Sequence, residues 1–181
     1  MGHLCLINLP DLDKQKETCY NECIKRKEVI RFMTIYLDCD GTWIDLYGVE
    51  NWLDYLQNEN PYPYIAAKPL VNLAWLARTI HELQNQNIKI GIISWLSKNG
   101  SKSYNRMVTT AKLEWFKKHL PSVCFDEIHI IEYGTPKSSC SNSLEDILFD
   151  DEDKNRKEWH GKAYDEKKLI KTLRSFLCPT V

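Results

Sequence analysis

Short apolar runs alternate with helical periodicity through most of this chain, and few architectures accommodate that alternation. The runs are Thr34–Asp38 (TIYLD), Lys89–Ser94 (KIGIIS), Glu127–Tyr133 (EIHIIEY) and Asp146–Asp150 (DILFD), with a shorter one at Lys162–Asp165. Each is rich in β-branched and aromatic residues and has the length of a strand. Between and after them, Leu70–Gln86, Tyr104–His119 and Glu166–Leu177 read as helices. Leu70, Leu73, Ala74, Ala77, Ile80 and Leu83 form one apolar face; Met107, Val108, Ala111, Trp115 and Phe116 form another before Pro121 ends the helix. Strands alternating with helices predict an α/β fold: a parallel five-stranded sheet covered on both faces.

The 181 residues suffice for one domain with a sizeable core. Residues 34–181 are assigned to it, and residues 1–33 read as an N-terminal extension with a charged helix near Lys14–Arg31. Residues 43–69, aromatic and ending in a Pro-rich NPYPY run, read as a small insert beside the top edge of the sheet. The balance of 24 Lys and Arg against 25 Asp and Glu is not that of a nucleic-acid coat, so no stable nucleic-acid partner is expected. No apolar run reaches membrane-span length, and Met1–Pro10 lacks the basic residues of a secretory signal. A soluble, cytoplasmic protein is expected. Seven scattered cysteines, odd in number, do not read as a disulfide framework. Cys19 and Cys23 share a helix face with Cys5 upstream, but no CxxC pair or finger-spaced histidine accompanies them, so reduced thiols are expected.

The chemistry-bearing residues follow the strands. Leu37-Asp38-Cys39-Asp40-Gly41-Thr42 puts two carboxylates and a turn-forming glycine at the end of the first strand. Open α/β sheets bind ligands at that carboxyl edge. The second strand ends in Ser94, Lys137 lies in the loop after the third, and the fourth ends in Asp150 and Asp151. Taken singly, these read as a polar turn, a strand-end hydroxyl, a solvated lysine and an acidic turn. Taken together, four strands deliver two carboxylate pairs, a hydroxyl and an ammonium to one edge.

On those residues the chain resembles the haloacid-dehalogenase-like (HAD) hydrolases: DCDGT at 38–42, IIS at 92–94, Lys137 and LFDD at 148–151, over roughly Thr34 to Asp165. The resemblance implies a Rossmann-like three-layer fold, with the first strand central, the second and fourth beside it, and a minimal cap insert. It implies Asp38 as nucleophile and Asp40 as general acid and base. Ser94 and Lys137 would hold the phosphoryl group. Asp38, the main-chain carbonyl of Asp40, and Asp150 would bind Mg²⁺, with Asp151 and Thr42 in support.

Phosphate monoesters are among the slowest bonds to hydrolyse. A carboxylate nucleophile divides the reaction into two steps, a hard cation and a lysine offset the meeting of two anions, and an acid protonates the departing alkoxide. Among the chemistries that the resemblance admits, halide expulsion needs neither acid nor metal, and an ion pump needs membrane spans. A phosphonate hydrolase would bring a cap lysine that forms a Schiff base, whereas the insert's only lysine, Lys68, stands at its very end. Phosphomonoester hydrolysis is therefore expected. The insert's aromatics (Trp43, Tyr47, Trp52, Tyr55, Tyr62, Tyr64) and Trp95 either pack the insert or stack a nucleobase. Trp43 and Trp95, next to the motif residues, are the expected substrate contacts. The chain as a whole is similar to small 5′-nucleotidase-like members of the superfamily, which implies a small phosphorylated substrate such as a nucleotide. The alternatives are a phosphatase of nucleic-acid ends or phosphoproteins, favoured by the open site that so short an insert predicts, and a HAD-like module that binds phosphate without turnover.

Overall fold

The computed structural model describes residues 33–177. The extension at 1–33, apart from Met33, lies outside the described residues, as do Cys5, Cys19 and Cys23. Five strands form the main sheet: β1 (Thr34–Leu37), β4 (Lys89–Trp95), β5 (Glu127–Ile131), β6 (Ile147–Phe149) and β7 (Lys162–Tyr164). Their order is β5-β4-β1-β6-β7, and every pairing is parallel. The first sheet strand is thus central, flanked by the second and fourth, as the resemblance implied. All four residues of β1 are buried, which explains its unbroken apolar reading.

One face of the sheet carries Ile35, Leu37, Ile90, Ile92, Ile147 and Phe149. It packs against α3 (Leu73–Asn85), α4 (Lys102–His119) and α6 (Leu169–Leu177). Asn72 caps α3 by accepting the Trp75 N–H at 2.9 Å, and Ser101 caps α4 by accepting that of Tyr104 at 3.2 Å. These caps set the helix starts, so Leu70 precedes α3 and is half exposed. Met107, read as part of the apolar face of α4, is also exposed.

The opposite face departs from the expected third layer. Only a 3₁₀ turn (Lys137–Cys140) lies between β5 and β6, and the six-residue α5 (Asp153–Glu158) lies between β6 and β7. The segment before β6 is rich in Gly, Pro and Ser and has no apolar period from which to build a helix. Fully buried Asp146 organises it instead, accepting N–H bonds from Thr34 at 2.8 Å and from Asn142 and Ser143 at 2.9 Å. Trp159 closes this face edge-on to Tyr36, 5.7 Å between ring centres. Among the described residues no helix is long and apolar enough to cross a membrane.

The insert folds as β2 (Ile44–Asp45), α1 (Trp52–Gln57), α2 (Tyr62–Ala66) and β3 (Lys68–Pro69). Strands β2 and β3 pair antiparallel and close its base. Its contacts with α4 are specific: Ser101 donates its N–H and its hydroxyl to the Glu59 carboxylate, each at 2.7 Å, and the Trp115 indole donates to the Ala67 carbonyl at 2.8 Å. Trp43 does not reach the site. Its ring is fully buried, 5.5 Å from Trp115 and stacked 5.8 Å from Phe116, because the turn after Asp40 leads directly into β2 and rolls this side chain into the core. The expected substrate contact at Trp43 is therefore a packing residue.

Candidate active site

The Asp38 N–H donates to the Phe149 carbonyl at 2.9 Å, extending the parallel ladder to the last residue before the turn. The chain then reverses: the N–H groups of Thr42, Trp43 and Ile44 converge on the Cys39 carbonyl at 3.2, 3.2 and 3.0 Å. Gly41 sits in that turn at φ +86°, a conformation that side chains rarely adopt, and a Cβ there would collide with the Asp151 carboxylate and the Tyr47 ring. The glycine therefore allows the carboxylates of the first and fourth strands to meet.

They do meet. Ligand oxygens of Asp38, Asp150 and Asp151 all lie within 4.8 Å of one another. The Lys137 ammonium, 3% exposed, donates to Asp38 Oδ1 at 2.5 Å and to Asp150 Oδ2 at 2.6 Å. Thr42 Oγ1 donates to Asp38 Oδ2 at 3.0 Å and accepts the Asp151 N–H at 3.1 Å, which ties the two strand ends together. Four of the sequence-derived groups, Asp38, Lys137, Asp150 and Asp151, thus form one cluster with Thr42 at its centre. Asp40 lies beside it, its carboxylate taken by Lys112. Ser94 is fully buried, and its hydroxyl accepts from Lys112 Nζ at 2.6 Å.

Three residues of this site escaped the sequence reading. Asn155, on α5, donates to both oxygens of Asp150 at 3.1 and 3.2 Å. Arg156 donates to the carbonyls of Asp150 and Asp151 at 2.7 and 2.6 Å, clamping the strand end from outside. Nothing in an acidic turn followed by a charged stretch signals either one. Lys112 did leave a trace: it falls four residues after Val108 and four before Phe116, on the buried face of α4.

Above the cluster lies a cavity of about 480 Å³ with Asp38, Asp40, Lys137, Asp150 and Asp151 in its floor. The insert supplies one wall through Tyr47, Trp52 and Tyr64, and Trp95 and Tyr133 face it from the sheet edge. Trp95 is fixed there by its indole N–H to the Thr135 carbonyl at 2.9 Å and by a tilted contact with Tyr133. Tyr55 and Tyr62 pair with each other and do not line the cavity. The open site expected from the short insert is in fact walled on one side by α1 and α2.

Crowding sets the electrostatics. Burial, then the charges of Asp38 and Asp150, push Asp151 up to about 7. Burial, then Asp38, also raises Asp150, and burial raises Asp40 against the pull of Lys112. Burial works against the charge of Lys137, but the two carboxylates it touches outweigh that and hold its ammonium above the usual range. The folded metal-free protein therefore retains a proton on Asp151 that the unfolded chain releases at about pH 4. That contribution to stability is present below the unfolded value and is lost as pH rises through about 7. In EDTA the melting temperature is expected to fall as the buffer is raised from about pH 5 to about pH 8. Asp151→Asn is expected to flatten that slope; the same slope in the variant would show that the proton resides elsewhere.

Scans of the chain against family models, curated proteins and solved structures return no match.

Proposed function

We propose that this chain is a Mg²⁺-dependent phosphomonoester hydrolase of the HAD type that works through an aspartyl-phosphate on Asp38. The observation that carries the reading is the junction of Asp38 with Lys137 and the Asp150–Asp151 pair at the carboxyl edge of the sheet. Asp40 stands two residues beyond, and an aromatic-walled cavity lies above. The strand order and the positions of the motif residues at successive strand ends support the HAD assignment.

The donor set suits a hard cation, since among the described residues only carboxylate oxygens converge and no sulfur or imidazole does. Asp38, Asp150 and the main-chain carbonyl of Asp40 would hold Mg²⁺, and Asp151 is close enough to share it. When bound, the ion neutralises phosphoryl charge and polarises the P–O bond. An Asp38 carboxylate oxygen forms a bond to phosphorus as the ester P–O bond breaks, and Asp40 gives the departing alkoxide its proton. Asp40 then takes a proton from water as that water's oxygen bonds to phosphorus, and the bond to Asp38 breaks with release of phosphate. Lys137 offsets charge in both steps. Ser94 is fully buried and does not line the cavity, so it bears on the site through Lys112, whose ammonium it shares with Asp40.

The cavity's volume and flanking rings favour a substrate of nucleoside-monophosphate size over a folded phosphoprotein. Trp95→Ala is expected to raise KM for a nucleotide about tenfold, from stacking worth ~1–3 kcal/mol, with little change for a small aryl phosphate. Trp43→Ala is expected instead to destabilise the fold by ~3–5 kcal/mol without preference between substrates. Trp43→Phe is expected to recover most of that, because the indole N–H has no hydrogen-bond partner among the described residues. Equal KM effects of Trp95→Ala on both substrates would remove the stacking role. A fluorogenic phosphomonoester assayed with Mg²⁺ and with EDTA tests the activity itself. Turnover only with the metal is the expected result, whereas phosphate binding without turnover would indicate a binding module.

A further inference from the structure

Burying an ammonium is costly, and helix α4 gains nothing in stability from a lysine where an apolar side chain would fit. Lys112 nonetheless occupies the buried face of α4, 3% exposed, with Val108 and Phe116 one turn on either side. Among the described residues its ammonium has three contacts. It donates to Asp40 Oδ2 and, at 2.6 Å, to Ser94 Oγ, and it lies 4.9 Å from the centre of the Tyr64 ring, on whose face it rests. The first two are groups with assigned chemistry from two different strands, and the third is a wall of the cavity belonging to the insert. Lys112 itself does not line the cavity.

We propose that Lys112 is a positioning residue that fixes the orientation and the hydrogen-bond roles of Asp40 and Ser94, a role that rests on the phosphatase reading above. An ammonium has donors only. Ser94 Oγ must therefore accept from Lys112, which turns its own proton away from the ammonium and leaves it to be donated elsewhere. Likewise Asp40 Oδ2 is held by a donor with no lone pair, so the proton that Asp40 gives and takes is confined to Oδ1. One cation thereby determines which Asp40 oxygen acts as acid and away from which neighbour the Ser94 hydroxyl donates. The Tyr64 ring covers the ammonium's remaining side with an aromatic face, through a cation–π contact. Seating of the insert and alignment of the acid are therefore linked at this residue.

The test compares kcat/KM, which reports the first phosphoryl transfer, for an alkyl phosphate and a p-nitrophenyl phosphate. The alkoxide needs the proton of Asp40 to leave; p-nitrophenolate does not. Lys112→Met fills the same volume without donors, Lys112→Gln retains a donor without the charge, and Lys112→Arg retains both. In the Met and Gln variants the alkyl rate is expected to fall ~10²-fold or more and the aryl rate at least tenfold less than that, with the alkyl rate partly restored by Arg. Equal losses on the two esters, or losses that follow the melting temperature across the three variants, would reduce Lys112 to a structural residue and overturn the proposal. Wild-type protein without Mg²⁺-dependent activity on either ester would instead reject the phosphatase reading on which it rests.

Discussion

With Asp38 replaced by asparagine, phosphate-ester turnover is expected to fall by at least ~10⁴-fold, the scale on which loss of a nucleophile is felt. Folding should survive the change. The amide oxygen of the new side chain can still accept from Lys137 or Thr42, which now donate to the two oxygens of Asp38. The substitution also removes one of three crowded carboxylates, so the metal-free melting temperature is expected to hold or rise. Asp38→Ala should be equally inactive. A residual kcat of even about a tenth of wild type, only ~1.4 kcal/mol of lost stabilisation, would be too much for an enzyme deprived of its nucleophile. The covalent route would then be wrong, however well the rest of the site is formed.

Lys137→Met is the second large effect, and it separates charge balance from catalysis. In the metal-free protein the ammonium is the cation shared by Asp38 and Asp150, both almost wholly buried. Removing one partner from a buried ionic cluster costs ~3–5 kcal/mol, because the charges left behind are neither solvated nor paired. The variant is expected to melt well below wild type in EDTA and to regain much of the difference in Mg²⁺, which brings charge back to the same oxygens. Activity at saturating metal should still be down ~10²–10³-fold, the cost of deleting one preorganised donor to the phosphoryl group. A variant as stable as wild type in EDTA would show that the carboxylates there are protonated and that Lys137 balances nothing.

Much of the site was legible before the fold because its groups stand at strand ends. A strand fixes the direction of the chain, and in a parallel sheet the carboxyl ends of successive strands share one edge. Asp38, Lys137, Asp150 and Asp151 could be assembled from strand positions alone, and the distances among them agree with that assembly. Lys112 could not. It reaches the site from the side, as one position on a helix whose periodicity reads as core, and its meaning depends on the α4 crossover placing it behind Asp40 and Ser94. The insert's helices were hidden for another reason: six and five residues are too few to display a period, and Pro61 and Pro63 mask the second. Proximity in sequence misled at Trp43, where the tight turn that follows Asp38 at the cavity floor directs the indole inward.

The proposed nucleophile can be caught directly. Rapid acid quench of wild-type protein and of Asp40→Asn during turnover with Mg²⁺, followed by borohydride reduction and peptide mass analysis, reads which side chain carried the phosphoryl group. Borohydride converts an aspartyl-phosphate to homoserine. The expected result is homoserine at position 38, dependent on substrate and metal and more abundant in Asp40→Asn, where breakdown of the intermediate lacks its base. Steady turnover by the wild type with no modification of Asp38 in either protein, or with the phosphoryl group found on another residue, would contradict a covalent mechanism at Asp38.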